Sequence, residues 1–190
     1  MSDGKRALSA SEDETLKLWD LDSGEEVATL RGHTDWVTAV AMTPDGKRAL
    51  SASGDGTLKL WDVDKGEEGA TLRGHTGWVD AVAVMPDGKR ALFPSYDKTL
   101  KLWDLESGKE LATLRGHTSL VNAVAVMSDG KRALSASYDQ TLKLWDLRTC
   151  EAVASFVGDG PMLACAVAPD GRAIVAGDVG GGVYFLRLEE

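Results

Sequence analysis

The chain has 190 residues, 43 % of them apolar and 27 % charged, a composition that builds a core and is not that of a disordered chain. A net charge of −9 argues against nucleic acid or an anionic membrane as partner, since both need a basic face. Two cysteines, Cys150 and Cys165, exclude a disulfide framework, no apolar run approaches the ~18 residues of a membrane span, and the polar Met1–Arg6 start has no signal-peptide pattern, so a cytoplasmic setting is expected.

The predicted elements repeat. Residues 1–31, opened by an Asp3-Gly4 turn, read as a partial unit of three strands. In residues 32–73, Ala39–Met42 is a continuous apolar run that predicts a strand buried on both faces. Pro44-Asp45-Gly46-Lys47 is a hairpin turn, with Gly46 supplying the positive φ. Arg48–Ser53 is a second strand, and Gly54-Asp55-Gly56 the next turn. Thr57–Trp61 alternates and predicts a third strand with one buried face; a turn at Asp64-Lys65-Gly66 leads to a more polar fourth, Gly69–Arg73. The unit returns at 74–115 and 116–157, and in degenerate form at 158–190, where Asp170-Gly171 follows Asp129 by 41 residues instead of 42. No segment carries helical periodicity.

Trp19-Asp20, Trp61-Asp62, Trp103-Asp104 and Trp145-Asp146 recur every 42 residues, in phase with Gly32-His33, Gly74-His75 and Gly116-His117. Period and motifs together resemble the WD-repeat family over essentially the whole chain. The resemblance implies an all-β propeller of four-stranded antiparallel blades, here about 4.5 per chain. It also implies a non-catalytic module that displays loops to peptide or protein partners. The near-identical copies are similar to those of bacterial WD-repeat proteins; the alternative is a recently duplicated or designed repeat with no specific ligand.

His33, Ser51 or Ser53, Asp55 and Trp61 recur as His75, Ser95, Asp97 and Trp103, then as His117, Ser135 or Ser137, Asp139 and Trp145. A catalytic triad needs one strained, exposed nucleophile, and a threefold repetition of the same neighbours argues against it. Resemblance to the family implies a buried hydrogen-bond chain instead, Asp to His to Ser to Trp, with Ser53, Ser95 and Ser137 taken as its serines. In the last unit Asp178, Gly180 and Leu186 stand in place of Ser137, Asp139 and Trp145, and Gly158 or Asp159 in place of the histidine. A network lost whole predicts that apolar packing of Ala173–Val175 and Val183–Phe185 holds this unit. Three histidines one unit apart do not converge on a metal, Gly180–Gly182 lacks the partners of a phosphate loop, and no cofactor is expected. Cys150, in a turn, and Cys165, in a strand, are expected to be inert.

The copies differ at one rim. Trp36, Trp78, Tyr96 and Tyr138 are candidate binding anchors, with Asp35, Asp80 and Asn122 as polar neighbours; packing of Trp36 and Trp78 between blades is the competing reading. The acidic balance favours a basic partner. The first unit lacks its inner strand and the last its outer one, so both ends duplicate the middle strands and cannot complete each other. An open arc leaves two apolar flanks bare, and a ring closed by a second copy, of eight, nine or ten blades, is expected.

Overall fold

Eighteen strands form five antiparallel sheets among the described residues, 4–189, of this computed structural model. The Asp3 of the opening turn lies outside them. The first sheet holds β1 (Arg6–Ala10), β2 (Thr15–Asp20) and β3 (Glu26–Arg31). The second holds β4 (Val37–Met42), β5 (Arg48–Ser53), β6 (Thr57–Asp62) and β7 (Glu67–Arg73). The third holds β8 (Ala83–Val84), β9 (Arg90–Pro94), β10 (Leu100–Asp104) and β11 (Lys109–Leu114). The fourth holds β12 (Val121–Val126), β13 (Arg132–Ser137), β14 (Thr141–Asp146) and β15 (Glu151–Val157), and the fifth β16 (Met162–Val167), β17 (Ala173–Asp178) and β18 (Val183–Arg187). Each sheet is a simple meander.

The turn chemistry sets the hairpins. Gly46, Gly88, Gly130 and Gly171 all adopt the left-handed conformation, and the Asp45 carboxylate accepts the backbone N–H of Lys47 at 3.1 Å. This two-way fixing of the turn places β4 against β5 in a defined register, Val40 opposite Ser51.

The sheets pack face to face in chain order, and the core is four nearly equivalent interfaces. Between the first and second sheets, Leu16, Leu18 and Leu30 meet Ala49, Trp61 and Val63. Between the second and third, Leu50, Leu58, Leu60 and Leu72 meet Val79, Ala91, Phe93, Trp103 and Leu105. The remaining two interfaces repeat the pattern up to Met162, Ile174 and Ala176. The inner strands β4, β8, β12 and β16 touch in succession and line the inside of the arc.

That placement reverses two expectations. The apolar run of β4 is only half-buried beyond Val37, because an inner strand faces the channel on one edge. The alternating β6 is instead buried on both faces, with Lys59 laying its stem in the interface and its ammonium on Glu68 at 2.6 Å. A middle strand is enclosed by a neighbouring sheet on each side.

The ring is not closed. Leu21 is 54 % exposed where its counterpart Val63 is 2 % exposed, because no sheet covers the outer face of the first. At the far end Leu163, Val175, Val183 and Phe185 are exposed, Phe185 by 79 %. The packing expected of Val175, Val183 and Phe185 is therefore not made; Ile174, Ala176, Tyr184 and Leu186, on the opposite face, make it.

Candidate functional site: a ladder of rings at the rim

The recurring polar residues meet in buried chains. His33 Nδ1 lies 2.8 Å from Asp55 Oδ2, and its Nε2 lies 2.7 Å from Ser51 Oγ. Trp61 Nε1 donates to the same hydroxyl at 2.8 Å. The fourth sheet repeats this with His117, Asp139, Ser135 and Trp145. Burial, the largest influence, lowers the pKa of His33 and His117 despite their aspartates. A neutral imidazole that donates Nδ1–H to the carboxylate must accept at Nε2, so the serine donates to histidine and the indole donates to serine. Burial opposes ionisation of Asp139, but bonds from Thr141, the Thr118 N–H and His117 prevail and hold its carboxyl at about 2. Ser51 and Ser135 are fully buried, with both functions of the hydroxyl engaged, so these sets have no access to a substrate.

The serine of the chain is thus Ser51, not Ser53, and Ser135, not Ser137. Ser53, Ser95 and Ser137 work locally: each accepts the N–H of the aspartate two residues on, and each donates to a carbonyl in the preceding loop. In the third sheet the position of Ser51 is held by Phe93. His75 still bonds Asp97 at 2.7 Å, but His75 Nε2 and Trp103 Nε1 are buried without a hydrogen-bond partner.

The last sheet has a polar hub after all. The Tyr184 hydroxyl donates to Asp178 at 2.7 Å and accepts the Asp159 N–H at 2.9 Å, while Asp178 also accepts the N–H groups of Gly180 and Gly182. Asp178 and Asp159 stand at the repeat positions of Ser137 and the histidine, and Tyr184 at that of Lys143, so the last unit replaces the lost chain with a different one of its own.

Three of the four ring-bearing rim residues come together. Trp36 and Trp78, from adjacent sheets, meet edge-to-face at 5.7 Å, and Trp78 stacks on Tyr96 at 6.1 Å and 12°. They are not buried between sheets: Trp36 is 44 % and Trp78 38 % exposed. The loops before β4 and β8 present the tryptophans, and the turns after β5 and β9 fold over them, with the N–H groups of Gly54 and Tyr96 bonded to the carbonyls of Trp36 and Trp78. Tyr138, in the next sheet, is exposed and close enough for its hydroxyl to raise the pKa of Tyr96, behind burial and Asp80. The Tyr96 hydroxyl points to Asp80 Oδ2 at 3.4 Å.

The polar neighbours divide. Asp35 caps its own loop through the Trp36 N–H. Asn122 is not a free rim group: its Nδ2 donates to the Met162 carbonyl of the next sheet at 2.8 Å, and Thr38 makes the same link to Val79 at 2.6 Å. Asp80 occupies the equivalent position and, as a carboxylate, has no proton to give.

Comparison with known families decides the assignment. The model described as "WD domain, G-beta repeat" matches residues 1–20, 24–62 and 66–104. This chain belongs to the WD-repeat family. Residues 117–188 of the same WD-repeat chain match the "TEP-1 C-terminal beta-propeller". Its relatives include the nuclear distribution protein PAC1 of Arthroderma otae, 49 % identical over 43 residues, which are 23 % of this chain and 9 % of that protein. PAC1-2 of Postia placenta is 39 % identical over 41 residues, 22 % of this chain and 10 % of that one. PAC1-2 of Uncinocarpus reesii is 52 % identical over 40 residues, 21 % of this chain and 9 % of that one. The similarity to these curated relatives thus spans about one WD repeat. Among the described residues no helix is long and apolar enough to cross a membrane.

Proposed function

We propose that this WD-repeat chain is a non-catalytic scaffold that binds peptides or proteins on the rim carrying Trp36, Trp78, Tyr96 and Tyr138. The observation that carries the reading is the contiguous, solvent-facing ring ladder, built across neighbouring sheets by loops that otherwise repeat. Rigid rings lose little conformational freedom on binding and are the usual anchors of an interface. A displayed peptide library panned against the protein tests it: binders are expected, and Trp36→Ala with Tyr96→Ala abolishes their capture. Binders indifferent to both substitutions overturn the reading.

Assembly with a second copy belongs to the same proposal. Val175, Phe185 and Val183 occupy the positions of Leu134, Leu144 and Leu142, the half of an interface that faces forward. Trp19 and Leu21 occupy those of Trp61 and Val63, the half that faces back. The two open faces are thus the two sides of a contact the chain itself makes four times, and burying each side chain of this size contributes about 1.5–3 kcal/mol. Sedimentation at micromolar concentration is expected to give a dimer, and Val183→Asp with Phe185→Asp a monomer. A monomeric parent chain refutes the assembly.

A further inference from the structure

The inner-strand position shared by Thr38, Asp80 and Asn122 has one structural task, a hydrogen bond to the next sheet, and Asp80 does not perform it. Its surroundings differ in two further ways. The inner strand β8 is reduced to Ala83–Val84, with Val79 making only an isolated bridge to Ser95, so Asp80 lies on backbone outside the ladder. Among the described residues no basic side chain acts on Asp80; its partner is the Tyr96 hydroxyl at a long 3.4 Å. A half-buried carboxylate without a cation is an unfavourable element, and burial raises its pKa accordingly.

The chemistry around it selects a guest. Tyr96 stacks on Trp78, Trp78 meets Trp36, and both tryptophans are open to solvent. A planar cation can lie on such rings and direct its N–H groups to a carboxylate at the end of the row. Guanidinium suits this better than ammonium, because it is flat, weakly hydrated and forked. The net charge of −9 favours its approach.

We propose that Asp80, with Trp36, Trp78 and Tyr96, receives an arginine side chain of a partner peptide. This rests on the reading of the rim as a peptide-binding face and specifies its chemistry. Asp80→Asn is a clean probe, since an asparagine can make the link to the next sheet that Asn122 makes, and the fold is retained. The test is a titration of hexa-arginine, and of its uncharged citrulline analogue, followed by tryptophan fluorescence at about 0.15 M salt, where attraction beyond about 8 Å is screened. Hexa-arginine is expected to bind, the citrulline peptide not to. Asp80→Asn and Trp78→Ala each weaken hexa-arginine binding at least tenfold, while Glu106→Gln, which removes an exposed charge elsewhere, changes it less than twofold. Equal losses for Asp80→Asn and Glu106→Gln mean diffuse charge attraction and overturn the proposal. Library peptides without arginine that require Trp36 and Tyr96 but ignore Asp80→Asn overturn it and leave the peptide-binding reading standing. A rim that captures no peptide of any charge removes both.

Discussion

Replacing Trp103 by Phe and Trp145 by Phe should have very different consequences, although the two residues occupy the same place in adjacent sheets. Both are at most 3 % exposed, so each substitution removes the same part of an indole from a closed interface. That shared loss is about 1–2 kcal/mol from the area returned to a void. Trp145→Phe also deletes the 2.8 Å bond to Ser135, a further ~1–1.5 kcal/mol. Trp103→Phe deletes an N–H that is buried without a partner, and so removes a penalty of about 1–3 kcal/mol. Trp145→Phe is therefore expected to cost about 2–4.5 kcal/mol more than Trp103→Phe, which falls near neutral. Urea unfolding followed by far-ultraviolet circular dichroism reads this as a difference in midpoint, provided the slopes match. Equal destabilisation refutes the hydrogen-bond reading of the repeated Trp and Ser.

Asp80→Asn should raise stability by about 1 kcal/mol, the net worth of one hydrogen bond, and by more at neutral pH because a half-buried charge also disappears. Burial sets the native pKa of Asp80 above its unfolded value, so the native state gains from protonation. The advantage of the variant should shrink as the pH falls through that native pKa, and a lower melting temperature at pH 7 counts against the reading. The histidines act with the opposite sign. His33 and His117 are held neutral chiefly by burial, so below about pH 6.5 the unfolded chain takes up protons that the native one refuses. Stability should fall on acidification by up to about 1.4 kcal/mol per pH unit for each, and His33→Gln with His117→Gln should flatten the slope between pH 7 and 5.5. Below about pH 4, Asp55, Asp97 and Asp139 add losses of the same sign, since each is held ionised by its hydrogen bonds in spite of burial.

The strand order was legible because the copies share a period and every Asp-Gly turn carries its own conformational instruction. Burial was less so. Whether Ala39–Met42 or Thr57–Trp61 lies deeper depends on which strand has sheets on both sides, and local alternation does not carry that information. Ser51 and Ser53 share a strand face, so periodicity left both in play. The discriminating signal was the aspartate two residues after Ser53, which marks that hydroxyl for the turn. Comparison of the copies shows that Asp178 and Asp159 replace the serine and histidine of the chain but not that Tyr184 joins them, and the bond from Asn122 to the Met162 carbonyl is hidden because that partner belongs to the next unit.

Among the three four-stranded sheets, the departures from the repeat gather in the third sheet of the chain: Phe93 in place of the bridging serine, Asp80 in place of a donor, an inner strand cut to two residues, and two orphaned nitrogens. In a stacked array each sheet depends mainly on its neighbours, so four similar interfaces confine the cost of one imperfect sheet to its own surroundings. The same sheet contributes Trp78, Tyr96 and Asp80 to the rim. Random decay of one copy predicts that restoring the repeat at position 80 improves stability and leaves binding untouched. A site maintained against stability predicts that the one substitution moves the two properties in opposite directions. Asp80→Asn separates these cases because it changes one atom's chemistry and leaves the rings in place.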